Sequence, residues 1–334
     1  MILISAVGAR LRRLIIGANL PLQRLVERQL VLQAQMVVQA NRSRTRLAGL
    51  HDAEFCAYSQ WGEDGIIDWL VERLPGIPRT FVEFGVENYR ESNTRLLLQL
   101  RNWRGLVIDG SAEHVANIQA QDVSWRHHLT AVNAFIDRDN IDTLIADAGL
   151  SGPIGLLSID IDGNDYWVWQ AITVVDPAIV VLEYNAVLGD RYALTVPYAP
   201  DFQRTRAHHS NLYFGASLPA LIALGHSKGY TFVGTTSTGC NAFFVRDDLA
   251  PAVVGALEGG WGFPSQVREA RNADGSLAYV SGTARADVIA HLPLVVVDGE
   301  DETTLADLDD IYSPEWKKNQ GRRFDVGTHG MSRD

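Results

Sequence analysis

IGLLSID (154–160), DYWVWQAI (165–172) and AIVVLEYN (178–185) decide the fold. The first and last are short runs dense in Val, Ile and Leu, the pattern of strands buried on both faces of a parallel sheet. The middle segment follows a polar turn and continues as a helix, so the three together read as strand, helix, strand. Working outward toward the N-terminus, RTFVEFGV (79–86) is another β-prone run, and SNTRLLLQLRNW (92–103) has helical periodicity behind a Ser/Asn start signal. RGLVIDG (104–110) and HHLTAVNAF (127–135) add two strands, and DNIDTLIADAG (139–149) adds a helix closed by Gly149. On the C-terminal side, YTFVGTTSTGCNAFFV (230–245) reads as two strands around a Thr/Ser/Gly turn, a hairpin rather than a further strand and helix. The expected fold is α/β: a doubly wound, mostly parallel sheet with helices on both faces, ending in an antiparallel hairpin.

Sheets of this kind bind ligands at the carboxyl ends of their strands. Glu83, Asp109, Asp160 and Glu183 each stand at or near such an end, so four acids spread over a hundred residues converge on one edge. The first of these loops, FVEFGVENYRESN, holds one glycine, Gly85, where a dinucleotide fingerprint requires G-x-G-x-x-G. A ligand without a pyrophosphate is the easier fit. Asp109 stands where an acid accepts hydrogen bonds from ribose hydroxyls, of a nicotinamide cofactor or of S-adenosylmethionine; the alternative is a solvated acid in an Asp-Gly turn.

The chain has 334 residues, 46% of them hydrophobic, and a formal net charge of -11. That charge disfavours nucleic acid as a partner, since phosphate binding needs a basic footprint. Cys56 and Cys240 stand far apart without a CxxC spacing, which suggests neither a disulfide framework nor a zinc site and points to a reducing, cytoplasmic setting. Residues 1–50 form a basic helical extension in which eight arginines face one acid, Glu27. MILISAVGA is too short to span a bilayer, and its arginines follow it, so secretion is disfavoured. Leu22, Leu25, Val26, Leu32 and Met36 recur at helical spacing, interrupted by Gln29 and Gln39. Such a helix packs on its own domain or on a twin subunit, giving a homo-oligomer; peripheral membrane contact through Arg10, Arg12 and Arg13 is the alternative. Residues 51–250 form the central domain, and residues 251–334 a C-terminal extension with a polar tail and no motif tied to chemistry.

SQWGEDGII (59–67), FVEFGVENYRESNT (81–94), GLVIDGS (105–111), LSIDIDGND (157–165) and VVLEYN (180–185) span about residues 55 to 247. In order and spacing they resemble class I S-adenosylmethionine-dependent methyltransferases, and within them the FkbM-type O-methyltransferases. The resemblance implies a Rossmann-like fold, S-adenosylmethionine as cofactor, and methyl transfer to a hydroxyl of a sugar or glycosylated metabolite. It puts Glu83 and Gly85 in the methionine-binding loop, Asp109 with Gly110 and Ser111 at the ribose, and Asn133 near the adenine edge. Ser59 and Gln60 match the opening motif, with Gln60 at the cofactor, although Ser59 also suits a helix cap. The chain departs from the pattern at Val86 and Glu87, where many methyltransferases have a further glycine.

The acids Asp160, Asp162 and Asp165 lack the glycine and glutamate positions of a calcium loop. Asp160, Glu183 and Asn185 resemble the acid, acid, amide set of magnesium-dependent small-molecule O-methyltransferases, in which the metal lowers the pKa of the acceptor hydroxyl. The competing reading is architectural: Asp162 caps the next helix, and Asp165 is a first-turn acid favoured by its dipole. Trp167 and Trp169 lie two apart, so they face different ways, and Tyr166 would floor the cofactor site. His208 and His209 are candidates for the general base, unless they belong to a solvated loop. Arg204 and Arg206 beside them suit a phosphate or carboxylate on the acceptor. Asp109 also keeps open a nicotinamide-dependent oxidoreductase, and the N-terminal helix a non-catalytic scaffold.

Overall fold

The computed structural model describes residues 22, 24–260, 262–267, 269–299 and 301–319. The expectations for Arg10, Arg12 and Arg13, and for the tail beyond residue 319, lie outside them. Among the described residues, no helix is long and apolar enough to cross a membrane.

Seven strands form the main sheet: β1 (Thr80–Phe84), β2 (Arg104–Asp109), β3 (Leu129–Asn133), β4 (Gly152–Ile159), β5 (Val175–Glu183), β7 (Tyr230–Thr235) and β8 (Asn241–Arg246). Their order is β3-β2-β1-β4-β5-β8-β7. The first five run parallel, and β8 pairs antiparallel with both β5 and β7. The order of strands reverses between β1 and β4, from β1-β2-β3 on one side to β4-β5 on the other, which opens a crevice at their carboxyl ends. A second sheet joins the short β6 (Leu194–Thr195) to β9 (Leu294–Val296) and β10 (Asp301–Thr303).

Residues 24–42 form α1, and α2 (Glu63–Arg73) precedes β1; between the strands lie α3 (Arg95–Arg101), α4 (Ala112–Gln119), α5 (Asp122–Arg126), α6 (Ile141–Asp147), α7 (Asp165–Ala171), α8 (Arg204–Ala207) and α9 (Leu218–Ser227). The pleat sends alternate strand residues to opposite faces. Phe81, Val107, Leu156 and Val181 meet Ile66, Trp69 and Leu70 of α2 and Leu97 of α3. Their neighbours Val82, Ile108, Leu157 and Leu182 meet Ile145 of α6, Trp169 of α7 and Leu221 of α9. Both faces of β1, β4 and β5 are therefore covered, which is why their sequences are apolar without alternation. Gly149, at φ 80°, ends the turn after α6 as its sequence position suggests.

The residues after 250 join this core rather than standing apart from it. Ala286, Ile289, Leu294, Ile311, Tyr312 and Trp316 pack into the cluster on the α9 face, and the apolar run LPLVVVD supplies β9.

Candidate active site

A cleft of about 700 Å³ opens at the carboxyl ends of β1, β2, β4 and β5, a volume suited to a small-molecule site. Its walls are the loops after those strands, the segment after β3, the β7–β8 turn and α8.

The loop after β1 is shaped by close approach of backbones. Phe84 pairs with Ile159, so Gly85 lies beside Asp160; a Cβ on Gly85 would fall 1.6 Å from the Asp160 carbonyl oxygen. Gly85 also sits at φ 71°, and Glu87 and Tyr89 follow at 46° and 60°. Glu83 lines the cleft, yet its carboxylate is engaged within the protein. It accepts from Ser92 Oγ at 2.6 Å, from the Asn93 N–H at 2.8 Å and from the Thr94 N–H and hydroxyl. The ESNT stretch is thus folded around Glu83, and burial pushes that carboxyl above its ordinary pKa.

Asp109 ties this loop to the next. It accepts from the Glu87 N–H and the Ser111 N–H, both at 2.8 Å, and His114 Nδ1 is 3.1 Å away. Gly110 and Gln60 line the cleft with it. Ser111 is instead the N-cap of α4, its hydroxyl accepting from the His114 N–H. Asn133 is exposed and donates to the Asp109 carbonyl, outside the cleft wall; the wall there is Ala134, Phe135 and Ile136. Asn133 therefore holds the β2 and β3 ends together, and the apolar neighbours face the ligand space.

Asp160, Asp162 and Glu183 each present one oxygen within 4.8 Å of the other two. Asp160 and Glu183 lie deep in the protein but open to the cleft, and burial, then the nearest like charge, pushes both well above the ordinary carboxyl range. Glu183 Oε2 has no hydrogen-bond partner. Arg204 Nη1 reaches Asp162 Oδ1 at 2.7 Å, with its guanidinium 3.9 Å from the Phe214 ring centre and its Nε donating to the Asn211 carbonyl. Arg204 lines the cleft and is already a counter-ion to Asp162 of the acid cluster.

Asn185 does not join these acids. Its amide donates to the Leu212 and Phe214 carbonyls, each at 2.9 Å, and its oxygen accepts from the Val187 N–H. The third carboxylate is Asp162, at φ 56° in the turn before α7. Asp162 does not cap α7: Asn164 is the cap residue, and the Asp165 carboxylate closes the turn by accepting from the Ile161 and Gly163 N–H groups. Tyr166 packs in the core rather than flooring the cleft. Trp169 is buried against Phe244 and Tyr230, while Trp167 donates from Nε1 to the Val196 carbonyl.

His208 and His209 stack on each other with ring centres 4.1 Å apart, and His208 Nδ1 lies 2.7 Å from Ser210 Oγ. Neither lines the cleft. Burial and then His209 lower the His208 pKa.

Asp64 carries weight that its position in SQWGEDG did not reveal. Its Oδ2 accepts from the N–H groups of Ala57, Tyr58 and Ser59 and from Ser59 Oγ. Ser59 Oγ accepts in turn from the Asp64 N–H, although Gly62 is the N-cap of α2. This knot holds Gln60 and Trp61 at the cleft wall.

No family model matches the chain, and no curated protein does. Among solved structures, an O-methyltransferase from Bacillus cereus in complex with SAH is 13% identical, over 63% of this chain and 88% of its own, with a TM-score of 0.37. An S-adenosylmethionine-dependent methyltransferase from Clostridium acetobutylicum is 9% identical over 55% of this chain and 90% of its own, with a TM-score of 0.36. Likenesses of that size carry no argument about chemistry. The strand order itself, five parallel strands closed by an antiparallel hairpin, is that of a doubly wound, Rossmann-like sheet.

Proposed function

We propose that the protein is an S-adenosylmethionine-dependent O-methyltransferase of the FkbM type, acting in a reducing cytoplasmic setting on a hydroxyl of a sugar or glycosylated metabolite. The observation that carries the reading is the cleft. It brings the Gly85 loop, Asp109 and Gly110 to one side and an acid cluster to the other, at the carboxyl ends of a sheet with this topology.

The cofactor would lie along the ends of β1 and β2, its adenosine against Phe135 and Ile136 and its ribose toward Asp109. The acceptor hydroxyl would lie by Asp160 and Glu183. In the reaction the acceptor oxygen forms a bond to the methyl carbon as the carbon–sulfur bond breaks, and the sulfur keeps that electron pair as S-adenosylhomocysteine. The hydroxyl proton needs an acceptor, and the carboxylate of Glu183, which lines the cleft, is the group at hand. Holding the hydroxyl in line with the methyl group is the larger share of the task, since orientation alone accounts for several powers of ten in such displacements.

The donor set fits a hard divalent cation, with three carboxylates converging and Glu183 keeping one oxygen free. Asp160, Asp162 and Glu183 would hold magnesium, which supplies positive charge that lowers the pKa of a hydroxyl bound to it.

Calorimetric titration of chelator-treated protein with S-adenosylhomocysteine, with and without magnesium, tests the reading. Micromolar binding supports it and justifies an acceptor screen that starts with sugars. Absence of binding in both conditions, together with a fluorescence change on adding NADH, would replace it with the oxidoreductase.

A further inference from the structure

Helix α1 is apolar on two opposite sides. Its inner side packs Ala34 into the domain beside Tyr58 and Leu96, Val38 is buried as well, and Asn41 donates to the Ala53 carbonyl. Its outer side leaves Leu22, Leu25, Leu32 and Met36 between 54% and 73% exposed. A helix with apolar residues all round is normally covered all round.

The outer residues form a pattern rather than a scatter. Leu22, Leu25, Gln29, Leu32, Met36 and Gln39 follow one another at steps of three and four, the a and d positions of a two-stranded coiled coil. At 100° per residue this seam lies opposite Ala34, and its Leu32, Met36 and Gln39 also wall a groove shared with Leu74, Ile77 and Trp103 of the domain, so a second helix on the seam borders that groove. We propose that the occupant is the same helix of a second copy of this chain, parallel and in register.

Register follows from the two glutamines. In a parallel pair, Gln29 and Gln39 each meet their own counterparts and can hydrogen-bond across the seam. In an antiparallel pair matched end to end, each would face an apolar residue and lose its partner. The flanks permit the parallel pair: Arg28 and Arg42 lie on one side of the seam, and Val26, Gln33 and Ala40 on the other, so no like charges face each other. Arg42 is in addition paired with Glu72 at 2.6 Å. A strip roughly 28 Å long and one helix of about 10 Å wide is small beside the roughly 800 Å² per partner of a standard interface. The dimer is therefore weak and concentration dependent. This inference is independent of the methyltransferase reading.

Light scattering or sedimentation of the full chain over a wide range of concentration tests it. The expected mass rises from 36.8 kDa toward twice that value, and the Leu32→Glu/Met36→Glu variant stays monomeric with an unchanged melting temperature. With Cys56→Ser as background, Gln29→Cys should form an intermolecular disulfide under mild oxidation. A wild-type chain that is monomeric throughout, whether because residues 1–21 cover the seam or because nothing does, overturns the proposal. So does a dimer that survives the double variant. Crosslinking only between mixed Gln29→Cys and Leu32→Cys chains overturns the parallel register. Monomeric protein that co-sediments with phosphatidylserine vesicles, and loses that property in the double variant, assigns the face to a membrane surface instead.

Discussion

Gly85→Ala separates a glycine needed for a ligand's approach from one needed by the protein itself. Its φ of 71° places an alanine in the left-handed region, at a cost of about 1–2 kcal/mol. The added Cβ would fall 1.6 Å from the Asp160 carbonyl oxygen and 2.8 Å from its carbonyl carbon. Neither atom belongs to a flexible side chain: β1 and β4 are paired up to Phe84 and Ile159, so the strand ends must part. Overpacking of this kind adds about 1–3 kcal/mol, for a total of about 2–5 kcal/mol. Gly76 serves as the internal control, because it sits at φ 95° with nothing within 4 Å of its would-be Cβ. Gly76→Ala should therefore cost only the conformational part, about 1–2 kcal/mol. Urea unfolding of both variants measures the difference. Because Gly85→Ala also displaces Asp160, turnover should fall further than S-adenosylhomocysteine affinity. If the two alanine variants match in stability, the close approach of β1 and β4 does not govern this loop, and the reasoning fails.

Asp64 is buried, and its pKa is pushed up to about 6 by burial against the hydrogen bonds it accepts. Between its unfolded value and about 6 the folded state holds more protons, so Asp64 takes stability away as pH rises through that window, by up to about 3 kcal/mol, and is neutral to further change above it. Unfolding of wild type and Asp64→Asn across this range should differ in slope, with wild type falling more steeply; parallel curves would refute the assignment. His208→Ala and His209→Ala should keep turnover within about threefold, since neither ring reaches the cleft, whereas losing a general base costs about a hundredfold or more. Asp160→Asn and Glu183→Gln should each abolish magnesium-stimulated turnover and leave S-adenosylhomocysteine affinity in place; unchanged turnover in both would remove the acid cluster from the mechanism. Arg204→Gln removes the cation already paired with the exposed Asp162. Manganese affinity, read by calorimetry, should then rise by up to about fivefold, the scale of an exposed ion pair of about 1 kcal/mol; weaker binding would show that Arg204 helps to build the site.

The sheet was legible because its central strands are covered on both sides. LLSI in β4 and IVVLE in β5 have no polar alternation to confuse them with amphipathic strands, and the Gly-containing turn of 236–239 marked the hairpin. The segment after residue 250 was not legible, because its packing is long-range. Ile311 and Trp316 are isolated apolar residues in a polar stretch, and only the fold brings them onto the α9 face. No local periodicity records such contacts.

The site divides along the same line. Strand ends announced Glu83, Asp109, Asp160 and Glu183, because an acid that ends a buried strand has few other reasons to be there. Their partners could not be read from spacing. Asn185 stands two residues after Glu183 and had the type and place of a ligand, but its amide lies between two carbonyls of residues 212–214 and is consumed there. Asp162 had the look of a cap, but the left-handed turn moves it into the acid cluster, and Asp165 takes over the turn. Asp64 held three N–H groups that no motif foretold. In each case the decisive quantity is how many hydrogen bonds a side chain already makes. Glu83, its oxygens filled by Ser92, Asn93 and Thr94, shapes the cleft, whereas Asp160, Asp162 and Glu183 converge where a ligand can enter.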